Sequence, residues 1–180
     1  MDCTAGRYGP TNGSPCLACE AAKFSVSGAT ICTSCLAGKS AEDGGSSEEV
    51  CADCTVGRYS PSDGSPCLPC EQGKWSDTVA ATTCADCTAG QYNTNTASIA
   101  ISDCIDCGAG RYSTSGAAAT SASVCLACEQ GKWSDTVAAT AESTCAECTA
   151  GQYNTNTASI ASSDCIDCGA GRYSTSGAAA

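Results

Sequence analysis

The sequence predicts small disulfide-rich repeats: an extended rod of about ten short irregular β-hairpin units, with little helix and no single hydrophobic core. Three observations predict it. Nineteen of the 180 residues are cysteine, arranged almost entirely as C-x-x-C pairs. All eight Lys and Arg residues fall four positions after the second cysteine of a pair. All nine aromatic residues fall at the position after that. A chain that places its whole supply of two residue types in one register is a tandem array, and a period of about 16–20 residues points to a solenoid or rod.

The array covers 1–180, with units starting near Cys3, Cys19, Cys35, Cys54, Cys70, Cys87, Cys107, Cys128, Cys148 and Cys168 (units 1 to 10 below). The cation position holds Arg7, Lys23, Lys39, Arg58, Lys74, Arg111, Lys132 and Arg172, with Gln91 and Gln152 in two units. The aromatic position holds Tyr8, Phe24, Tyr59, Trp75, Tyr92, Tyr112, Trp133, Tyr153 and Tyr173, with Ser40 the exception. A glycine precedes the cation in every unit except at Ala22, which calls for an unusual backbone angle or a close approach of another segment. A three-unit super-repeat overlays the small one: residues 88–119 match 149–180 except at Ile101/Ser162. Near-identical copies offer the same surface repeatedly rather than one unique site.

Within a unit, Gly-[KR]-[YFW]-Ser is short and β-prone, with cation and aromatic on opposite faces. Pro10-Thr11-Asn12-Gly13 and Pro61-Ser62-Asp63-Gly64 are turn sequences. The Ala-rich stretches 79–82 and 116–119 are expected to form single turns. No stretch has an amphipathic helical period. The acidic, Gly/Ser-rich stretch 42–49 is expected to be a flexible or extended insert.

Large apolar residues are too few for packing alone to offset chain entropy, so cysteine fills the gap. Nineteen cysteines are typical of a secreted disulfide scaffold in an oxidising compartment. The expected location is therefore extracellular or at the cell surface. No signal peptide and no transmembrane-length run is visible, and the chain starts and stops mid-pattern, so a segment of a longer protein is expected. A net charge of −11 with scattered cations disfavours nucleic acid and anionic membrane as partners. Cations, basic proteins and glycans remain compatible with this charge, and self-association or other filament proteins are the expected partners.

The pairing that repeats once per unit joins each second cysteine to the next first cysteine. It gives Cys3–Cys16, Cys19–Cys32, Cys35–Cys51, Cys54–Cys67, Cys70–Cys84, Cys87–Cys104, Cys107–Cys125, Cys128–Cys145 and Cys148–Cys165, and leaves Cys168 unpaired. Each closed loop of about 15 residues would stabilise by roughly 3 kcal/mol in the chain-entropy model. A crossed pattern, first to first and second to second, groups units in twos where the sequence groups them in threes. Sequence leaves both connectivities open. The aromatic is expected to cover the cystine of its own or the adjacent unit. The cation is expected on a solvated face or paired with an acid of the C-x-x-C spacer, such as Asp53, Asp86, Asp106 or Asp167.

The string C-x-x-C-x-x-G-x-[YFW]-S, as in CLPCEQGKWSDTVAATTCADCTAGQYN, resembles the ephrin-receptor-like cysteine-rich repeat. More loosely it is similar to the first loop of tumour-necrosis-factor-receptor modules. The resemblance covers essentially all of 3–180 and implies extended, disulfide-stapled extracellular structure with no catalytic residues to carry over. Long, Ala/Ser/Thr-rich, nearly identical versions look like those of large surface proteins of algae and other protists, which implies cell-surface or flagellar-hair filaments.

Other chemistry fits poorly. Two C-x-x-C pairs match a four-thiolate zinc ribbon, but the Gly-cation-aromatic register has no role in one. A serine triad needs histidine, and the chain has none. No loop has calcium-ligand spacing. The one sequon is at Asn12, weakened by Pro15, and Ser and Thr are abundant enough for O-linked sugar. The reading is a non-enzymatic glycoprotein without cofactor. It is a structural component of an extracellular rod or filament, or alternatively a ligand-binding or adhesive stalk.

Overall fold

A computed structural model describes residues 2–11 and 13–175. The sequon at Asn12 lies outside the described residues. Among the described residues the chain forms nine two-stranded antiparallel sheets and no α-helix; the other elements are short 3-10 turns. Each hairpin is one unit. Its first strand is the cation-aromatic dipeptide and its second is the two-residue spacer of the next C-x-x-C pair, as in Arg111–Tyr112 against Leu126–Ala127.

The glycine explains why the hairpin starts where it does. In unit 7, the Arg111 N–H donates to the Gly108 carbonyl across a four-residue turn. Gly110 is third in that turn at φ +74°, the angle a type II turn requires there. The Gly110 carbonyl then accepts the Cys128 N–H, 2.8 Å away, and closes the hairpin. The same bond recurs from Cys19 to Gly6, from Cys54 to Gly38 and from Cys148 to Gly131. Unit 2 does it with Ala22, fully buried at φ +63°.

Disulfides join Cys3–Cys16, Cys19–Cys32, Cys35–Cys51, Cys54–Cys67, Cys70–Cys84, Cys87–Cys104, Cys107–Cys125, Cys128–Cys145 and Cys148–Cys165. Cys168 is free and half-buried. Cystine sulfur, small alanines and buried Ser and Asn take the place of a large apolar core. Every C-x-x-C pair gives at least one cysteine to a bridge, and Cys168 is the one free thiol among the described residues.

Contacts between units are mostly backbone hydrogen bonds. The Gly110 N–H donates to Ser134 of unit 8, and the Ser134 N–H donates to Ser159 in the loop of unit 9. The N–H of Ala158 in that loop donates back to the Cys128 carbonyl of unit 8. Ala80, Ala97, Ala118, Ala138 and Ala158 all hold positive φ, between 52° and 62°. They mark the bend of the covering loop, where units 2, 3 and 4 carry Gly28, Gly44 and Gly64.

The acidic stretch 42–49, expected as a flexible or extended insert, is bonded to unit 2 through the Gly44 N–H, which donates to the Cys19 carbonyl. It is the covering loop of unit 3: Gly45 bridges Phe24 in a parallel pairing, and Glu48–Val50 form a 3-10 turn leading into Cys51. Equivalent turns, Ile101–Asp103, Ala122–Val124, Glu142–Thr144 and Ser162–Asp164, precede the first cysteine in the other long loops. The stretch is ordered because its backbone is engaged by unit 2, which composition does not reveal. The residues group into two compact bodies, Met1–Ala85 with Asn95–Ile101, and Asp86–Thr94 with Ser102–Ala180. Among the described residues no helix is long and apolar enough to cross a membrane.

Candidate recognition surface

Each hairpin presents two faces, because successive strand residues point to opposite sides. One carries the cation and the second spacer residue; the other carries the aromatic and the first spacer residue.

On the cation face the residue opposite depends on the cation. Arg7, Arg58 and Arg111 face Ala18, Pro69 and Ala127. Each arginine reaches past that small residue and donates Nη1–H to the carbonyl of the first cysteine of the pair, Cys16, Cys67 or Cys125, at 3.0 to 3.2 Å. Lys39 instead faces Asp53 and forms an ion pair with it. Gln91 and Gln152 face Asp106 and Asp167 and donate Nε2–H to them. Lys23 faces Ser34 and pairs with Glu20; Lys132 faces Glu147 but pairs with Glu142. The hydrogen bond that Lys132 donates to Glu142 holds its ammonium above the ordinary lysine pKa, helped by the charges of Glu142, Glu129 and Glu147 and opposed by burial. These cations are spent within the array. Exposed pairs of this kind stabilise by under about 1 kcal/mol each, so they set register more than stability.

The aromatic face shows size matching. Tyr8, Tyr59, Tyr92, Tyr112 and Tyr153 lie opposite Leu17, Leu68, Ile105, Leu126 and Ile166. The larger Trp133 lies opposite Ala146, and Phe24 opposite Thr33. Ser40, in the aromatic position of unit 3, faces Ala52. The ring packs forward. Phe24 lies against Cys35, Ala41 and Cys51, which are the cystine and the buried alanine of unit 3. Trp75, Tyr92, Tyr112 and Trp133 each bridge the covering loop of the next unit, at Ser98, Ala119, Ala139 and Ser159. Tyr173, in the last unit, is 81% exposed. Its ring has no covering loop after it among the described residues.

The residue after the aromatic was given no role by the sequence, yet it is the most buried polar position. Ser25, Ser60, Ser76, Asn93, Ser113, Ser134 and Asn154 are all buried. Their side chains satisfy the loop backbone: Ser113, Ser134 and Asn154 accept the N–H of Ser115, Thr136 and Asn156. Asn154 also donates Nδ2–H to Ser159 at 2.7 Å. Buried hydroxyls and amides persist only when so bonded. The signal was the recurrence of Ser or Asn two positions after the cation in eight of the ten units, Gly9 and Ala41 being the exceptions.

Shallow grooves open at unit junctions. Tyr8, Glu20, Lys23, Ile31 and Cys32 line one of about 300 Å³. Phe24, Leu36, Lys39, Glu48 and Glu49, with the Cys35–Cys51 region, line one of about 560 Å³. Among the described residues no group of three or more His, Cys, Asp or Glu side chains is placed to hold a metal ion. The exposed surface offers repeated half-exposed apolar pairs, hydroxyls and carboxylates.

No curated protein matches the chain. The density of bridges and the hairpin fold are those of a cysteine-rich extracellular module, receptor-like or structural. Residues 57–104 match the family model described as tyrosine-protein kinase ephrin type A/B receptor-like, so that stretch is similar to an ephrin-receptor-like cysteine-rich repeat, and the same hairpin and bridge recur before and after it.

Proposed function

We propose that this chain is a structural component of an extracellular rod or filament, of the cell-surface or flagellar-hair type, which assembles through its repeated outer surfaces. One observation carries the reading: the same outward apolar residues return with the super-repeat. Val79 and Val137 occupy matching positions, as do Ile99 and Ile160, and all four are exposed. The half-exposed Leu17, Leu68, Ile105, Leu126 and Ile166 recur beside their tyrosines. A repeated apolar surface supports lateral association at many equivalent points. Loops closed by cystine and tied to their neighbours resist proteases and bending, which suits a load-bearing filament.

Electron microscopy of native material tests this. Filaments with an axial repeat matching the three-unit period are expected. A dispersed monomer at all concentrations overturns it. The family match favours a second reading, an adhesive or ligand-binding stalk of a receptor-like ectodomain. Saturable binding of one ligand by the monomer would replace the first reading with the second.

A further inference from the structure

Unit 3 departs from the rest of the array, and its departures converge on one groove. The position after the second cysteine is Glu20, Glu71 or Glu129 in three units and Thr or Gly in most others; in unit 3 it is Leu36, 59% exposed. The 3-10 turn before the first cysteine of the next pair carries two adjacent carboxylates only here, Glu48 and Glu49. Leu36, Glu48 and Glu49 line the same groove of about 560 Å³, whose floor is Phe24 and the Cys35–Cys51 region. Both carboxylates are exposed, and the ion pairs among the described residues, Lys23–Glu20, Lys39–Asp53 and Lys132–Glu142, do not include them. Lys39, the one cation in the lining, is engaged by Asp53.

The groove therefore has an apolar floor and an acidic rim. We propose that it binds a basic peptide segment of a partner protein. The aliphatic part of that segment lies on Phe24 and Leu36, and its ammonium or guanidinium group is held by Glu48 and Glu49. Charge complementarity selects this occupant. A second copy carries the same net charge of −11, and an anionic surface meets the acidic rim. A Lys or Arg side chain places methylenes on the apolar floor and its charge at the edge. The volume is that of a small-ligand or side-chain pocket. A distinctive site in an otherwise self-similar array gives the array one addressable point.

The test uses the intact, oxidised chain and fluorescence anisotropy with a labelled Lys-Leu-Lys-Leu-Lys peptide, with Glu-Leu-Glu-Leu-Glu as control. Saturable one-to-one binding of the basic peptide alone is expected. Both Glu48→Gln/Glu49→Gln and Leu36→Ser are expected to weaken it about tenfold or more. Glu71→Gln/Glu129→Gln, which removes equal charge elsewhere, is expected to change it by less than about twofold. All exchanged side chains are exposed, and mass spectrometry of the intact bridges confirms the fold. Absence of saturable binding overturns the proposal, as does equal weakening by the two charge variants. Self-association lost in Glu48→Gln/Glu49→Gln without peptide binding would assign the groove to a second copy and also overturn it.

Discussion

Gly110 lies directly beneath the carbonyl oxygen of Ala158, two units further along, and a Cβ at Gly110 would overlap that oxygen. The same relationship joins Gly6 to Gly44, Gly38 to Ala80, Gly57 to Ala97 and Gly90 to Ala138. The glycine of one unit is thus the seat for the loop two units on, while that loop bonds the unit between. Gly151, which has no such loop above it among the described residues, would meet nothing within 4 Å.

Gly110→Ala therefore combines left-handed strain with displacement of a neighbouring loop, and is expected to cost about 2–4 kcal/mol. Gly151→Ala has the strain alone and is expected to cost about 1–2 kcal/mol. Hydrogen exchange in residues 128–160 should rise in the first variant, while thermal melts rank the two. Equal effects would show that the seat is not filled.

Three bridges close the shortest loops, Cys3–Cys16, Cys19–Cys32 and Cys54–Cys67, each with a separation of 13. Cys16, Cys32 and Cys67 are half-exposed, whereas Cys51, Cys104, Cys125, Cys145 and Cys165, each behind a 3-10 turn, are buried. Access governs thiol–disulfide exchange. Timed reduction with a phosphine, alkylation and peptide mapping should find these three bridges opened first.

The match of tyrosine to leucine and tryptophan to alanine predicts coupling across the hairpin. Trp133→Tyr should destabilise less when Ala146→Leu is also present, by about 0.5–1 kcal/mol. A double-mutant cycle on melting reads this directly; strict additivity would mean that the two positions do not sense each other.

Arg111→Lys removes the bond to the Cys125 carbonyl and should cost about 1 kcal/mol. Adding Ala127→Asp recreates the arrangement of Lys39 and Asp53 and should recover about half of that loss. Exchange of the hairpin amides at residues 112 and 126 is the readout.

The raised Lys132 pKa sets a pH dependence. Because the folded value exceeds the unfolded one, the contribution is complete below the ordinary lysine value of 10.5 and lost as pH rises through the folded value. Between neutral pH and about 10 the pair should contribute a constant amount. An NMR titration of the Lys132 side chain should show a midpoint above 10.5, falling in Glu142→Gln.

Much of the hairpin was readable in advance. The glycine register marked the positive-φ turn, the Pro and Gly motifs marked loops, and Asp53, Asp106 and Asp167 stood where a spacer acid would meet its cross-strand partner. Cation identity added a clue that composition hides: Arg recurs with Ala or Pro at the second spacer position, and Gln with Asp. The backbone bonds that hold the loop at 42–49 were not legible, because acidity and small residues look alike in a free loop and in one held by its backbone. The buried Ser and Asn escaped notice because hydropathy places them outside.

The sequence alone determined the recurring hairpin, its need for sulfur in place of an oily core, and the register of cation and ring. Only the tertiary structure decided which copy touches which: that Phe24 covers the cystine after its own and that Gly110 seats the loop two units on. The physical reason is that periodicity makes neighbouring copies chemically equivalent. Composition is satisfied by any of them, and the twist and reach of the folded backbone select one.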